Sequence, residues 1–265
     1  MSDEIRTEIK GAVGEVILCR PPVNALSSAG WFALARAFET LNADPAVRVI
    51  LVHAEGRGFC AGVDIKELQA NPGLINAVNR GNWETFRAIH RGRVPVIAAA
   101  HGFVLGGGIG ICGSCDIVFL SDDATLGVPE VDRGALGAGA HLQRLMPLQQ
   151  VRRLYFTGDM MSAAEAARFG GIEAVVPSAD LLPRARDLAQ RIAAKSPVMI
   201  ALAKESLNGI EAADLEAQYR WEQGFTAQAY LTAESQATRD AFVATGGRAD
   251  FSSANPSSPK SSSKD

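Results

Sequence analysis

Short apolar runs recur through the first half of the chain and constrain its fold more than any other feature. They lie at Glu15–Cys19, Val47–His53, Val96–Ala100, Ile117–Leu120 and Ala124–Leu126. β-Branched residues bounded by turn residues are typical of strands. A strand with one face in water would alternate apolar and polar residues, whereas a strand covered on both faces would not. The sequence therefore predicts an α/β fold with a largely parallel sheet.

Segments with apolar residues at helical spacing lie between and after these runs. They are Ala29–Leu41, Gly73–Arg91, Ser162–Phe169, Leu181–Lys195 and Glu211–Val243. From Leu142 onward the pattern is almost wholly helical. We expect residues 1–195 to form a core domain and residues 196–251 a C-terminal helical region. Residues 252–265 are mainly Ser, Pro and Lys, a composition that predicts a disordered tail.

Composition and charge narrow the classes of partner. The 265 residues are 47% hydrophobic and carry a net charge of −3, which suits one sizeable domain. This mild acidity argues against nucleic acid or a membrane surface as the main partner. Residues 1–10 are charged and lack the apolar core of a signal peptide. No apolar run approaches the length of a membrane span, so we expect a cytoplasmic protein.

Cys112 and Cys115 form a C-x-x-C pair, which can mark a redox motif or half of a zinc site. A zinc site needs two more nitrogen or sulfur ligands at suitable spacing, and none stands nearby in the sequence. We interpret the pair as small buried thiols and expect no metal site.

Three loop segments concentrate the residues able to do chemistry: Gly58–Glu67, His101–Gly110 and Leu126–Gly134. Glycines in the first two let the backbone turn tightly and bare its N–H groups. In the second, a strand feeds a glycine turn into a helix, so free N–H groups face one point. The third displays acids and one arginine between apolar flanks. None has the spacing of a nucleotide-binding motif.

Together, in this order and spacing, the three segments resemble the enoyl-CoA hydratase/isomerase (crotonase) superfamily. The likeness runs from Arg20–Leu26 to Ala241–Val243. It implies a spiral of ββα units with a helical C-terminal region used in trimerisation, as a homo-trimer or a dimer of trimers. It also implies an acyl-CoA substrate, with coenzyme A as part of that substrate and no tightly bound cofactor.

The resemblance assigns three catalytic groups. The backbone N–H groups of Ala61 and Gly107 would form an oxyanion hole for the thioester oxygen, and Glu130 would be the acid/base. Two backbone donors aimed at a developing anion stabilise it, and losing one such donor typically costs about 3–4 kcal/mol of barrier. The family's first glutamate falls on Gly110, which is the main departure. An isomerase that handles dienes would want acids at positions 110 and 138, where this chain has Gly110 and Ala138.

The resemblance also predicts a set of substrate-binding residues. They are Val23, Ala61, Asp64, Ile65, Gly106, Gly107, Arg133, His141 and Phe242. Arg133 can hold a ketone or carboxylate of an oxygenated substrate, or pair with Asp132 or Asp64 as scaffold. His141 can act as a second acid/base, or as a capping or solvent-facing histidine. Asp64 is expected to cap the helix that follows it.

A lone glutamate leaves several activities open. Segments Gly62–Glu67, Gly106–Gly110, Pro129–Ala138 and Glu222–Thr226 are similar to those of ring-opening hydrolases from actinobacterial cholesterol catabolism. We therefore expect hydration or hydrolytic ring opening of a bulky, steroid- or terpenoid-derived acyl-CoA. The alternatives are an enoyl-CoA isomerase and a generic enoyl-CoA hydratase of β-oxidation. A non-catalytic homologue that binds CoA esters or RNA belongs to another functional class.

Overall fold

The computed structural model describes residues 3–249 and 251, which fold around two β-sheets. The strands are β1 (Ile5–Lys10), β2 (Val13–Leu18), β3 (Val49–Ala54), β4 (Val96–Ala100), β5 (Phe103–Leu105), β6 (Ile117–Ser121), β7 (Thr125–Gly127), β8 (Met160–Ser162) and β9 (Ala174–Val176). The larger sheet has six strands in the order β1-β2-β3-β4-β6-β9, and the smaller sheet has three in the order β5-β7-β8.

Strand direction confirms the predicted α/β class with a largely parallel sheet. The pairs β2–β3, β3–β4, β4–β6 and β6–β9 are parallel, and only the edge pair β1–β2 of this sheet is antiparallel. Every residue of β2, β3 and β4 is buried. These strands read as apolar runs because both of their faces are covered.

Helices cover both faces of the larger sheet. They are α1 (Ser28–Ala43), α2 (Ile65–Ala70), α3 (Ile75–His90), α4 (Gly107–Ser114), α5 (Gly139–Leu142), α6 (Leu148–Thr157), α7 (Ala163–Ala167), α8 (Ser178–Ala193), α9 (Pro197–Ile210), α10 (Leu215–Ala229) and α11 (Ala233–Thr245). The main core lies beneath the packed pair α1 and α3. A second apolar cluster joins α8 to the opposite face of the sheet.

The C-terminal helices form the predicted helical region, and α10 packs on both α3 and α5. The expected boundary at residue 195 falls between α8 and α9. The tail predicted at residues 252–265 lies outside the described residues. Among the residues that the structure describes, no helix combines the length and apolarity needed to cross a membrane.

Candidate functional site

The glycine turn after β5 aims the first backbone N–H of α4 at the neighbouring loop. Gly107 is the first residue of α4, so its N–H group has no acceptor within the helix. Gly106 before it has a φ of +49°, and Gly62 has a φ of +87°. A Cβ on Gly62 would lie 3.1 Å from the Gly107 nitrogen. Glycine at position 62 therefore keeps the approach to this donor open.

The second predicted donor, Ala61, lies beside this turn because Cys60 and Val104 form a parallel β-bridge. In this structure the Ala61 N–H donates to the carbonyl oxygen of Val23 over 3.1 Å. A thioester oxygen can use both predicted donors only if it displaces the Val23 carbonyl. The structure thus brings the two predicted donors close together. The Gly107 N–H has no acceptor within its helix, whereas the Ala61 N–H is bonded to the Val23 carbonyl.

Glu130 reaches the glycine turn from a short 3-10 helix, Pro129–Arg133. Its Oε1 atom lies against Gly106, where any Cβ would overlap it. Its Oε2 atom is buried and has no hydrogen-bond partner among the described residues. Burial raises the pKa of Glu130 to about 7, against the opposing effect of the Arg133 charge. A carboxyl group that titrates near neutrality can exchange protons with a substrate in either direction.

The position of the family's first glutamate is filled by an aromatic ring. A Cβ on Gly110 would overlap the ring of Phe86, which lies on α3. Phe86 packs edge-on against Trp31, with ring centroids 5.8 Å apart, and against Tyr219, at 5.2 Å. The Phe86 ring, held by these two aromatic neighbours, occupies the space that a side chain at position 110 would need.

His141 lies within the same aromatic cluster. Its ring centroid is 4.5 Å from that of Phe86 and 4.7 Å from that of Tyr219, and the residue is 1% exposed. The interpretation as a capping or solvent-facing histidine was therefore wrong, because the ring is enclosed by aromatic side chains. Burial lowers its pKa to about 3, so it is neutral at physiological pH. It lines neither of the two cavities described below.

A cleft of about 570 Å³ gathers most of the predicted substrate-binding residues. It is lined by Arg20, Pro21, Pro22, Val23, Ala25, Ala61, Val63, Asp64, Ile65, Lys66, Phe103, Leu105, Arg133 and Phe242. Asp64 caps α2 as predicted, accepting from the Lys66 N–H over 3.0 Å. The same carboxylate pairs with Arg20 at 2.6 Å. A cleft of this volume is within the range of small-molecule binding sites.

Arg133 lies at one wall of the cleft, with its guanidinium carbon 4.5 Å from the centre of the Phe242 ring. The described ion pairs do not join Arg133 to Asp132 or Asp64, although the Asp132 charge acts on Arg133 and opposes the burial that lowers its pKa. Those carboxylates pair instead with Arg248, at 2.9 Å, and with Arg20. The Arg133 side chain therefore lines the cleft without a described carboxylate contact, and its charge lowers the pKa of Glu130.

A second, enclosed cavity of about 50 Å³ adjoins the cleft at Val63, which lines both. Its walls are Val63, Ile75, Val78, Asn79, Asn82, Phe86, Gly106, Gly107, Glu130, Ala135, Leu136, Gly137, Ala138, Tyr219, Glu222, Gln223, Thr226 and Tyr230. We call this space the acyl cavity. It holds Glu130 and Gly107 together, and it has to widen to admit a ring-sized group.

Sequence reasoning missed Glu222, a second carboxylate at the acyl cavity. It accepts hydrogen bonds from the Gly139 N–H at 2.7 Å, the Ala140 N–H at 3.2 Å and the Tyr155 hydroxyl at 2.9 Å. The segment Glu222–Thr226 contributes to the resemblance, but nothing in its spacing predicts that Glu222 lines the same cavity as Glu130. Both Glu222 oxygens are engaged, so Glu130 is the carboxylate with a free oxygen.

The interpretation of Cys112 and Cys115 as small buried thiols agrees with their burial. Cys112 and Cys115 are buried and form no disulfide. Within residues 3–249 and 251, no cluster of three or more His, Cys, Asp or Glu side chains is arranged to hold a metal ion.

The sequence and the fold were compared with those of known proteins. The model of the family "Enoyl-CoA hydratase/isomerase" matches residues 8–253. A (7aS)-7a-methyl-1,5-dioxo-2,3,5,6,7,7a-hexahydro-1H-indene-carboxyl-CoA hydrolase of Rhodococcus jostii is 48% identical, covering 85% of this chain and 88% of that protein. The protein of the same description from Mycobacterium tuberculosis is 49% identical, covering 84% and 91%. A solved enoyl-CoA hydratase/isomerase from Mycobacterium paratuberculosis superposes with a TM-score of 0.84 at 25% identity, covering 91% and 99%.

Proposed function

We propose that this chain, which belongs to the enoyl-CoA hydratase/isomerase family, hydrolyses a carbon–carbon bond in the ring of a β-keto acyl-CoA. The family and the relatives make it an enzyme of the crotonase superfamily that acts on CoA thioesters. The observation that carries the finer proposal is the acyl cavity itself. One carboxylate with a free oxygen, Glu130, faces it, and Phe86 fills the place of a second acid.

Each step of the proposed reaction uses a group of this site. Glu130 takes a proton from water, and the oxygen of that water attacks the ring ketone carbon, which is β to the thioester. The tetrahedral alkoxide collapses and breaks the bond to the α-carbon. The electron pair moves into a thioester enolate, whose oxygen is held by the N–H groups of Ala61 and Gly107. Glu130 then returns its proton to the α-carbon, and the product is a tethered carboxylic acid.

The chemistry of the cleft supports an oxygenated substrate. Arg133 presents a guanidinium without a carboxylate partner among the described ion pairs, and such a group binds ketone, carboxylate or phosphate oxygens. The two similar hydrolases are named for dioxo-indene CoA thioesters. We extend to this chain a ring-bearing, keto-substituted acyl group, with Val23, Asp64, Ile65 and Phe242 flanking the CoA part. His141 acts on this site through packing.

The decisive experiment combines one variant with product analysis. Glu130→Gln keeps the side-chain shape but removes the base, so kcat should fall by roughly 10²–10⁴-fold while CoA-ester affinity stays nearly unchanged. Turnover of a cyclic β-keto acyl-CoA is followed by mass spectrometry. A gain of one water with a new carboxylate marks ring opening.

The control is Glu173→Gln. Glu173 is exposed and lines neither the cleft nor the acyl cavity, so this change should leave turnover intact. Near-wild-type activity of Glu130→Gln would remove Glu130 from the mechanism. A gain of one water on an enoyl-CoA, with the ring left closed, would favour hydration instead.

We also propose that the protein is a homo-trimer or a dimer of trimers. Large apolar side chains are exposed along α9 and α10, among them Leu202, Ile210 and Trp221. Several large apolar side chains exposed on neighbouring helices are typical of subunit interfaces. A second copy of the chain is the partner that closed symmetry supplies most simply.

A further inference from the structure

One wall of the acyl cavity is polar, although nothing in the proposed chemistry uses it. This wall is formed by α3 and α10 and carries Asn82, Tyr219 and Gln223. Glu130 and Gly107 line the same cavity from the short 3-10 helix and from the start of α4. Asn82 is 6% exposed, and its Oδ1 atom has no hydrogen-bond partner in the described part of the chain. A buried amide oxygen without a donor is unfavourable unless a ligand supplies one.

The hydroxyl of Tyr219 completes this wall. Burial raises its pKa, and hydrogen bonds from the side chains of Asn82 and Gln223 act in the opposite direction. The hydroxyl is therefore protonated at physiological pH and can donate that proton to an acceptor. Gln223 is itself fixed, because its Nε2 donates to the Asn79 carbonyl over 2.6 Å.

The ring of Tyr219 is held rigidly beneath its hydroxyl. It packs edge-on against Phe86 at 5.2 Å and against His141 at 4.7 Å between ring centroids. A hydroxyl donor and an amide acceptor that line one cavity from two packed helices can recognise an oxygen atom in an otherwise apolar space.

We propose that Asn82, Tyr219 and Gln223 form a subsite for an oxygen substituent on the ring of the acyl group, distinct from the thioester oxygen and from the ketone that water attacks. A ring ketone accepts from the Tyr219 hydroxyl, and a ring hydroxyl also donates to Asn82 Oδ1. This subsite rests on the proposed function in one respect only, namely that the ligand is an acyl-CoA.

The test measures binding rather than turnover, so it does not depend on the reaction. Calorimetry compares cyclohexylacetyl-CoA with its 3-oxo, 4-oxo and 4-hydroxy derivatives, none of which carries a ketone β to the thioester. We expect at least one oxygenated ligand to bind the wild type roughly tenfold more tightly than the parent. Asn82→Leu and Tyr219→Phe should reduce that preference to within about twofold and leave the affinity for the parent unchanged.

The matched control is Asn76→Leu, an exposed asparagine on the same helix α3, which should keep the full preference. If Asn82→Leu does not fold, Tyr219→Phe decides alone, because it retains the packed ring. Equal affinities for all ligands in the wild type, or an intact preference in Tyr219→Phe, overturn the subsite. A preference that depends on Tyr219, without hydrolysis of any β-keto acyl-CoA, overturns the proposed reaction and leaves the subsite standing.

Discussion

At the scale of single residues, the surroundings of Glu130 determine what it can do. Its Oε1 atom occupies space that exists only because Gly106 has no side chain, and its Oε2 atom is buried without a partner. Burial favours the protonated form and raises the pKa, while the Arg133 charge favours the ionised form and lowers it. These two opposing effects leave the pKa of Glu130 at about 7. To act as the proposed base, the carboxyl group must first lose its proton.

A pH profile tests this balance. Because the pKa of Glu130 is about 7 and the base form is ionised, kcat/KM should rise as pH increases through about 7 and then level off. Arg133→Leu removes the charge that lowers this pKa, so the midpoint should move to higher pH. Arg133→Lys keeps the charge and should keep the midpoint. A midpoint that is unchanged or lower in Arg133→Leu would contradict the assignment of Glu130 as base.

A second residue-scale prediction concerns Gly110. Any Cβ there overlaps the Phe86 ring, so Gly110→Ala should lower the free energy of unfolding by about 1–3 kcal/mol. Gly224→Ala is the matched control, since this helical glycine has open space around it and alanine should stabilise α10 by up to about 1 kcal/mol. Urea denaturation measures both. Equal stability of Gly110→Ala and wild type would mean that Phe86 yields easily and that an acid at position 110 can be accommodated.

At the scale of elements, the local hydrophobic pattern of the sequence predicted the buried strands. It missed elements whose formation depends on pairing with a neighbouring strand. β4 was predicted with its observed bounds, Val96–Ala100, because it is an apolar run between a proline and a turn. β1 was missed because this edge strand carries charges, and only its pairing with β2 makes it a strand. The site divides in the same way. Glu130 and Gly107 lie in short segments with a recognisable sequence, whereas Phe86 and Glu222 reach the site only because α3 and α10 pack against it.

A prediction at the scale of elements concerns Glu222, because its carboxylate connects α10 to the first turn of α5 through hydrogen bonds. Glu222→Gln replaces an acceptor of two backbone N–H groups, so we expect a loss of about 1–3 kcal/mol in the free energy of unfolding. Hydrogen exchange at Gly139 and Ala140 should become faster, as measured by mass spectrometry. Glu205→Gln, at an exposed position of α9, is the control. Unchanged exchange at both amides would show that other contacts hold α5.

At the scale of the whole molecule, the distribution of apolar surface is uneven. The sheet is covered on both faces, yet Ile210 is 75% exposed and Trp221 is 74% exposed. The sequence indicated a helical C-terminal region but not which of its faces lack an intramolecular partner, since that depends on how α9 and α10 pack.

Light scattering after size-exclusion chromatography tests the proposed assembly. The chain has a mass of 28.0 kDa, so a trimer should appear at about 84 kDa, three times that value, and a dimer of trimers at twice the trimer mass. Leu202→Glu and Trp221→Glu place charges on the exposed apolar faces and should shift the protein towards the monomer. A wild-type monomer at micromolar concentration would refute the assembly.

The contact between the Ala61 N–H and the Val23 carbonyl has an energetic consequence for selectivity. A neutral thioester oxygen that displaces the peptide carbonyl exchanges one uncharged acceptor for another, so ground-state binding gains little. An enolate oxygen forms a charge-assisted hydrogen bond, which is roughly twice as strong. In the proposed mechanism, the contact with the Val23 carbonyl therefore competes with a neutral thioester oxygen but yields to an enolate oxygen. The binding energy of the Ala61 N–H then stabilises the transition state more than the bound substrate.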